Sequence, residues 1–191
     1  TEEEVNLALG MGFLKKSTFV EIVRHGMENG DVFTLREAIR SQRNKYRVDT
    51  FGYKGEVFPI RDIHTYMSAN MALLDARVYD EIFYENGIIL TKNKDEPSTL
   101  YHANARVENS LLANGCEING TIQNSVLFRD VSVGKNGIIK NSIIMEGATI
   151  EEDAVVINCI IDKFASVKAG VSLVGSSVSP YTIGKRKEIR K

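Results

Sequence analysis

The stretch "NSIIMEGATI", from Asn141 to Ile150, recurs in variant form on both sides along the chain. "NSVLFRDVSV" stands before it at 124–133, and "NCIIDKFASV" stands after it at 158–167. The interval from Asn124 to Asn141 equals the interval from Asn141 to Asn158, and a constant period of this kind is typical of stacked repeat architectures. The alternative for a run of short strands is a β-sandwich, which imposes no constant residue period. We therefore predict a solenoid over this part of the chain.

Within one repeat the aliphatic residues form three clusters, as at Val133, Ile138 and Ile143. Each cluster predicts a short strand, and the Gly, Asn or Asp residues between clusters predict turns. Three strands then make a triangular coil, and successive coils stack with parallel pairing about 4.8 Å apart. This geometry places Val133, Ile150 and Val167 in one interior column. It also allows asparagines to stack at the corners, over five coils that begin near Ala103.

Composition bounds the kind of protein. The chain has 191 residues, 43% of them hydrophobic, and a formal net charge of −1. Such a charge gives no general attraction to nucleic acid or to an acidic membrane. No apolar run approaches the roughly 20 residues needed to cross a bilayer, so we expect a cytoplasmic setting. Cys116 and Cys159 lack CxxC spacing, which predicts buried thiols rather than a zinc site or a disulfide.

The first third of the chain is predicted to contain short helices. In "STFVEIVRHGMENG", Thr18 and Glu21 have capping-box spacing and Gly30 is a stop signal. "TLREAI" offers a second capping box, from Thr34 to Glu37. The alternation in "YRVDTFGYKGEVFPI", at 46–60, predicts strands around a tight turn.

A further helix is predicted to begin after Asp62, which can cap it. Its apolar stripe comprises Ile63, Tyr66, Met67, Met71 and Leu74. The predicted organisation is a mixed α and β segment at 1–85, a linker at 86–102, the solenoid at 103–184 and a basic tail at 185–191.

Solenoids with six-residue rungs often belong to acyltransferases, which need a histidine base. The three histidines are His25, His64 and His102. His102 alone lies near the first coil, and no acidic residue stands beside it in the sequence. This pattern predicts an ordinary surface histidine and makes acyl transfer a weak alternative.

Cations at the coil corners suggest a different kind of site. Lys163 follows Asp162 at one corner, and Arg129 occupies the matching region of an earlier coil. Two such cations on neighbouring coils could hold one phosphate group. The alternative is an exposed Asp162–Lys163 pair, which contributes little to stability.

The segments "ANMALLD", "NGCEINGTIQNSVLF" and "NSIIMEGATI" resemble those of bacterial glucose-1-phosphate adenylyltransferases, and the resemblance spans nearly the whole chain. It implies the C-terminal part of an α/β nucleotidyltransferase domain followed by a left-handed parallel β-helix of hexapeptide type. The handedness comes from the family, because the usual crossover rule predicts the opposite hand. The implied reaction joins ATP and glucose 1-phosphate into ADP-glucose and pyrophosphate.

Departures from the family pattern argue against catalysis by this chain. The family's glycine-rich phosphate loop is expected to precede Thr1, so the chain alone is not expected to turn over substrate. Pro59 stands where the family has an aspartate that helps to bind a metal, and Gly10 stands where it has a serine near the sugar phosphate. Asp62, three positions after Pro59, could substitute but is better placed to cap its helix. We expect no cofactor in this chain, with Mg²⁺ and ATP at a catalytic partner.

These losses resemble those of the GlgD-type glycogen biosynthesis subunits of this family. The resemblance implies a hetero-oligomer with a catalytic ADP-glucose pyrophosphorylase subunit, and it implies a sugar-phosphate effector near Lys163. Flat faces and open coil ends also favour a homodimer through the solenoid. The alternative from the enzyme class is an active sugar-1-phosphate nucleotidyltransferase with a shifted metal ligand. No nucleic acid or membrane partner is expected.

Overall fold

The computed structural model describes residues 10–30, 34–42, 44–87, 89–91 and 94–191. The chain forms two compact units, Thr1–Tyr53 and Lys54–Lys191.

In the first unit, helix α1 spans Lys16–Asn29 and ends at Gly30, whose φ of 68° is left-handed. The predicted stop at Gly30 is confirmed, because glycine adopts this conformation at little steric cost. The predicted capping box is wrong. Thr18 lies inside the helix, and Glu21 instead forms an exposed ion pair with Lys45.

Helix α2 spans Leu35–Ser41 and begins with the predicted capping box. The backbone N–H of Glu37 donates to Thr34 Oγ1 at 3.2 Å, and the N–H of Thr34 donates to Glu37 Oε2 at 2.9 Å. Both N-terminal donors are therefore satisfied by neighbours in the sequence.

The predicted strands at 46–60 are absent, because these described residues form turns and extended coil without a sheet partner. Alternating side chains are compatible with a strand, but a strand also needs a neighbour for its backbone groups. No described strand pairs with this segment.

In the second unit, helix α3 spans Ile63–Ala72 and is capped by Asp62, as predicted. The N–H of Thr65 donates to Asp62 Oδ1 at 2.7 Å. Helix α4, Ala76–Asp80, follows and continues into a π-helical turn at Glu81–Glu85. The predicted apolar stripe of α3 is only partly covered, with Ile63 still 45% exposed.

Sixteen short strands wind into a parallel β-solenoid with three sheets. Sheet A contains β1 (Leu100–Tyr101), β4 (Glu117–Ile118), β7 (Ser132–Val133), β10 (Thr149–Ile150), β13 (Ser166–Val167) and β16 (Glu188–Ile189). Sheet B contains β2 (Arg106–Glu108), β5 (Thr121–Gln123), β8 (Ile138–Lys140), β11 (Val155–Ile157) and β14 (Ser172–Val174). Sheet C contains β3 (Leu111–Leu112), β6 (Val126–Leu127), β9 (Ile143–Ile144), β12 (Cys159–Ile161) and β15 (Tyr181–Ile183).

One strand from each sheet makes a coil, so coils 1 to 5 begin at β1, β4, β7, β10 and β13, and β16 opens a sixth. The hexapeptide-type solenoid predicted from the repeat is confirmed. Its paired strands extend beyond 103–184 at both ends, because β1 pairs with β4 and β16 pairs with β13.

The predicted interior column is present. Ile150 lies opposite Val133 on one side and Val167 on the other, and all three side chains are at most 1% exposed. In sheet B the inward column is formed by Ile139 and Val156, whereas Ile138 and Val155 point outward. Continuous aliphatic columns explain why the repeat must return in register.

The interval of the repeat changes at two places. Arg106 pairs with Thr121, before a full period has passed, because coil 2 turns from sheet A to sheet B through a shorter corner. Cys159 pairs with Tyr181, after more than a full period, because residues 175–180 add a loop before β15.

The corner between sheets B and C carries the predicted asparagine stack. Asn124, Asn141 and Asn158 all have positive φ values, between 47° and 52°. Asparagine tolerates this left-handed conformation better than most residues, which explains the recurrence of "NS", "NS" and "NC".

The outward-facing residues of the central strands of sheet C are buried as well. Val126, Ile143 and Ile160 alternate with the core residues of their strands and are still at most 8% exposed. Tyr66 of α3 lies close enough for Asp162, next to β12, to affect it electrostatically, and burial raises the pKa of the Tyr66 hydroxyl. Helix α3 therefore lies near the C-terminal end of β12.

Candidate functional site

The candidate phosphate-binding cations lie at the corner between sheets C and A. The N–H of Gly147 donates to Arg129 O at 2.9 Å, and the N–H of Phe164 donates to Glu146 O at 3.0 Å. These bonds stack Arg129, Glu146 and Lys163 on coils 2, 3 and 4. The two cations therefore lie two coils apart, whereas the sequence analysis expected them on neighbouring coils. The full period holds at this corner, and Lys163 lies two periods after Arg129.

Glu146 binds two lysines between those coils. Its carboxylate contacts Lys94 Nζ and lies 3.6 Å from Lys163 Nζ. The hydrogen bond from Lys94, followed by the charges of Lys94 and Lys163, holds the pKa of Glu146 below its ordinary value. The same hydrogen bond raises the pKa of Lys94. This corner is therefore an internally compensated ion cluster.

Lys94 belongs to a segment, 94–99, that packs along this corner. The N–H of Gly115 donates to Pro97 O at 2.7 Å, and Thr99 Oγ1 donates to Ala113 O at 2.9 Å. The segment therefore contacts coil 1 through Pro97 and Thr99 and coil 3 through Lys94. Sequence reasoning missed these contacts, because the charged text of 86–102 has no periodicity that predicts packing.

Coil 5 brings further cations to the same corner. The N–H of Arg186 donates to Lys163 O at 3.0 Å, which stacks Lys185 after Lys163. The Arg186 guanidinium lies 5.9 Å from the centre of the Phe164 ring. On the next coil, the neighbour of Lys163 is therefore another cation, Lys185. Arg129 does not adjoin Lys163.

The two positions that depart from the transferase pattern lie in different units. Gly10 is exposed, with φ of 78°, and a Cβ there would lie 3.5 Å from Arg36 Nη2. Pro59 is exposed in the coil segment before α3.

Asp62 is occupied by its capping role. Its Oδ1 accepts from the N–H of Thr65 at 2.7 Å and from the Thr65 hydroxyl at 2.9 Å. The backbone bond from Thr65, and then its hydroxyl, lower the pKa of Asp62. The carboxylate is therefore ionised and already bonded on one oxygen.

His102 has an acidic partner that the sequence analysis did not foresee. Its Nε2 lies 2.8 Å from Glu117 Oε1, one coil away. The partners are remote in the sequence, so only the stacking of coils 1 and 2 brings them together. His102 and Glu117 side chains are 39% and 58% exposed, which describes a surface pair.

Within the described residues, no group of three or more His, Cys, Asp or Glu side chains is placed to hold a metal ion. Cys116 and Cys159 are free and buried, as predicted, and burial raises the pKa of both thiols. A raised thiol pKa disfavours the nucleophilic thiolate. No described helix is both long enough and apolar enough to span a bilayer.

Comparison with known proteins agrees with this architecture. Residues 97–179 match the family described as "GlmU-like, C-terminal hexapeptide". The chain is 32% identical over 123 residues to the glycogen biosynthesis protein GlgD of Bacillus subtilis (strain 168), covering 64% of this chain and 36% of the relative. It is 35% identical over 151 residues to GlgD of Geobacillus stearothermophilus, covering 61% of this chain and 44% of the relative.

The glucose-1-phosphate adenylyltransferase of Clostridium novyi (strain NT) is 35% identical over 91 residues, covering 48% of this chain and 24% of the relative. The chain therefore spans less than half the length of these relatives. The resemblance predicted from the sequence is confirmed: the chain is similar to GlgD proteins and to glucose-1-phosphate adenylyltransferases, and its solenoid is of the GlmU-like hexapeptide kind.

Proposed function

We propose that this chain is part of a regulatory or structural subunit of ADP-glucose pyrophosphorylase, acting in glycogen formation in the cytoplasm. Its partner would be a catalytic subunit that uses Mg²⁺ and ATP. The similarity to two GlgD proteins supports the pathway.

Pro59 is the observation that carries the non-catalytic role. Proline has no carboxylate, and in the transferase pattern an aspartate is expected at this position. Asp62 does not replace it readily, because its Oδ1 accepts two bonds from Thr65 at the start of α3. Releasing that carboxylate for a metal would remove the helix cap, which costs about 1 kcal/mol.

An active nucleotidyltransferase is the second candidate, favoured by the similarity to the Clostridium novyi enzyme. In that case Asp62 would be the shifted metal ligand. The two candidates differ in whether the chain, joined to the nucleotide-binding half of the transferase family, forms ADP-glucose without a partner.

We place the effector phosphate of the proposed subunit beside Lys163. Lys185 stacks next to Lys163, whereas Glu146 separates Lys163 from Arg129. Strands of adjacent coils lie about 4.8 Å apart. Two cations on adjacent coils suit one phosphate group better than two cations with a carboxylate between them.

Co-expression with a catalytic glucose-1-phosphate adenylyltransferase tests the subunit role. We expect co-purification, a larger oligomer by light scattering and an altered rate of ADP-glucose formation, with no product from this chain alone. Asp62→Asn should leave that altered rate unchanged. If the chain joined to the nucleotide-binding half forms ADP-glucose without a partner, and Asp62→Asn abolishes that activity, the enzyme candidate is established instead. An unchanged rate and unchanged mass would rule out the subunit role.

Lys163→Ala tests the effector site in the same assembly. The response to sugar phosphates should weaken, while Lys135→Ala, an exposed lysine at another corner, should not change it. An equal response in both variants would exclude the Lys163 corner.

A further inference from the structure

Coil 2 has a corner that is two residues shorter than its neighbours. Four residues connect Tyr101 to Arg106 in coil 1, and four connect Val133 to Ile138 in coil 3. Only Asn119 and Gly120 connect β4 to β5 in coil 2. The shortfall leaves a polar notch of about 340 Å³ between the corners of coils 1 and 3.

Between coils 3 and 4 and between coils 4 and 5, this corner is bridged by backbone hydrogen bonds. The N–H of Asp153 donates to Lys135 O, and the N–H of Gly170 donates to Glu152 O, each at 2.9 Å. Asn136 is the counterpart of Asp153 in coil 3, with the same φ of 56°. The backbone N–H of Asn136 has no acceptor in coil 2, because the short corner lacks the residue whose carbonyl would accept it.

Two residues that line the notch have backbone N–H groups without an acceptor. Over residues 94–191, all of them described, neither the N–H of Asn136 nor the N–H of Gly120 donates a hydrogen bond. Across the notch the carbonyl of Ala103 equally accepts none from this range. Gly120 and Asn136, the residues that carry these two N–H groups, both line the cavity.

Side chains add one positive charge and further donors. Arg106 lines the notch, is exposed, and has no ion-pair partner in the described part of the chain. Asn104 and Thr121 line it as well. The Asn136 amide donates to Asp153 Oδ1 at 3.0 Å, which places one carboxylate on the next coil. The Oδ1 of Asn119 is buried and so does not present a lone pair on the notch surface.

We infer that this notch binds the phosphate group of a small metabolite, through Arg106 and the backbone N–H groups of Gly120 and Asn136. Guanidinium and unpaired backbone N–H groups are the donors that phosphate oxygens favour. The carbonyl of Ala103 can accept from a protonated phosphate oxygen or from a hydroxyl of the ligand. The site lies between sheets A and B, so it is separate from the Lys163 corner and independent of the proposed function.

Titration of the ¹⁵N-labelled chain with inorganic phosphate tests the inference, with sodium chloride added to a constant ionic strength. We expect saturable shifts of the Gly120 and Asn136 amide signals. The Asp153 and Gly170 amides, which are already bonded, should move little. Linear, unsaturated shifts at all four amides would overturn the inference.

Two variants locate the binding. Arg106→Gln should weaken the phosphate affinity by about tenfold, since a charge-assisted bond is lost. Insertion of Lys-Asn between Asn119 and Gly120 restores a four-residue corner like that of coil 3 and should abolish the saturable shifts. Lys163→Ala should leave them unchanged. Equal phosphate affinity in the Arg106 variant, or saturation surviving the insertion, would exclude the notch as the site.

Discussion

At the corner between sheets B and C, the hydroxyl of Ser142 accepts a hydrogen bond from the backbone N–H of Cys159 at 3.1 Å, and both residues are fully buried. The same bond joins Ser142 N–H to Ser125 Oγ at 3.2 Å and Ser125 N–H to Ser110 Oγ at 3.1 Å. Each side-chain oxygen thus satisfies a backbone donor one coil further along. The recurring Ser after Asn is therefore part of the stacking, and Cys159 ends this series.

Ser142→Ala should lower the free energy of unfolding by about 1–3 kcal/mol, because it leaves the buried N–H of Cys159 without an acceptor. Cys159→Ser should change it by less than about 1 kcal/mol, since serine can donate to Ile157 O as the thiol does. Urea denaturation of both variants measures the difference. Equal losses in the two would contradict this role for the hydroxyl.

Ile150→Ala should cost about 2–5 kcal/mol, because it opens a cavity in the interior column between Val133 and Val167. Thr149→Ala is the matched control, since Thr149 precedes Ile150 in the same strand and points to the opposite face. That change should cost less than about 1 kcal/mol. Thermal or urea unfolding distinguishes them, and similar costs at both positions would refute the inward column.

Gly120→Ala should destabilise the solenoid by about 1–3 kcal/mol. A Cβ at Gly120 would lie 2.3 Å from the carbonyl oxygen of Gly137, which is backbone and cannot rotate away. Gly184→Ala is the control, because the nearest atom to its added Cβ is 3.9 Å away. It should be neutral or stabilising by up to about 1 kcal/mol. A tolerated alanine at Gly120 would mean that coils 2 and 3 separate more easily than their packing suggests.

Glu146 should stabilise the fold in a pH-dependent way. Its folded-state pKa is lowered, first by the bond from Lys94, so its contribution is present above the unfolded-state pKa and is lost as pH falls through the folded value. We expect Glu146→Gln to be less stable than the parent chain at pH 7 and equal to it at strongly acidic pH.

The control for Glu146 is Glu152→Gln, an exposed glutamate without an ion-pair partner in the described residues. Its stability should follow that of the parent chain across the same pH range. Chemical denaturation from pH 7 down to strongly acidic pH makes the comparison. A gap at Glu146 that persists at the acidic end would show that packing, and not charge, explains its effect.

Local signals predicted some elements well and others badly. The capping box at Thr34, the cap at Asp62 and the stop at Gly30 were correct, because each needs only residues a few positions apart. The strands expected at 46–60 were wrong, since alternation in the sequence does not supply a pairing partner.

The candidate site shows the same contrast. The repeat predicted the register of the strands correctly. It did not lead to the right cation neighbours, because Glu146 lies on the coil between Arg129 and Lys163. His102 bonds to Glu117 on another coil, and Lys94 reaches Glu146 from a segment outside the repeat. Neither pairing is recorded in any local pattern.

The amino-acid sequence by itself determined the stacked coil and its interior columns, because a periodic text places chemically equal residues above one another in a parallel sheet. Only the tertiary structure decided where the short corner of coil 2 leaves a notch and which charges meet at the corners. Those features arise where the period is broken or where a non-repeating segment packs against the coils, and such contacts depend on distances in space that spacing along the chain does not specify.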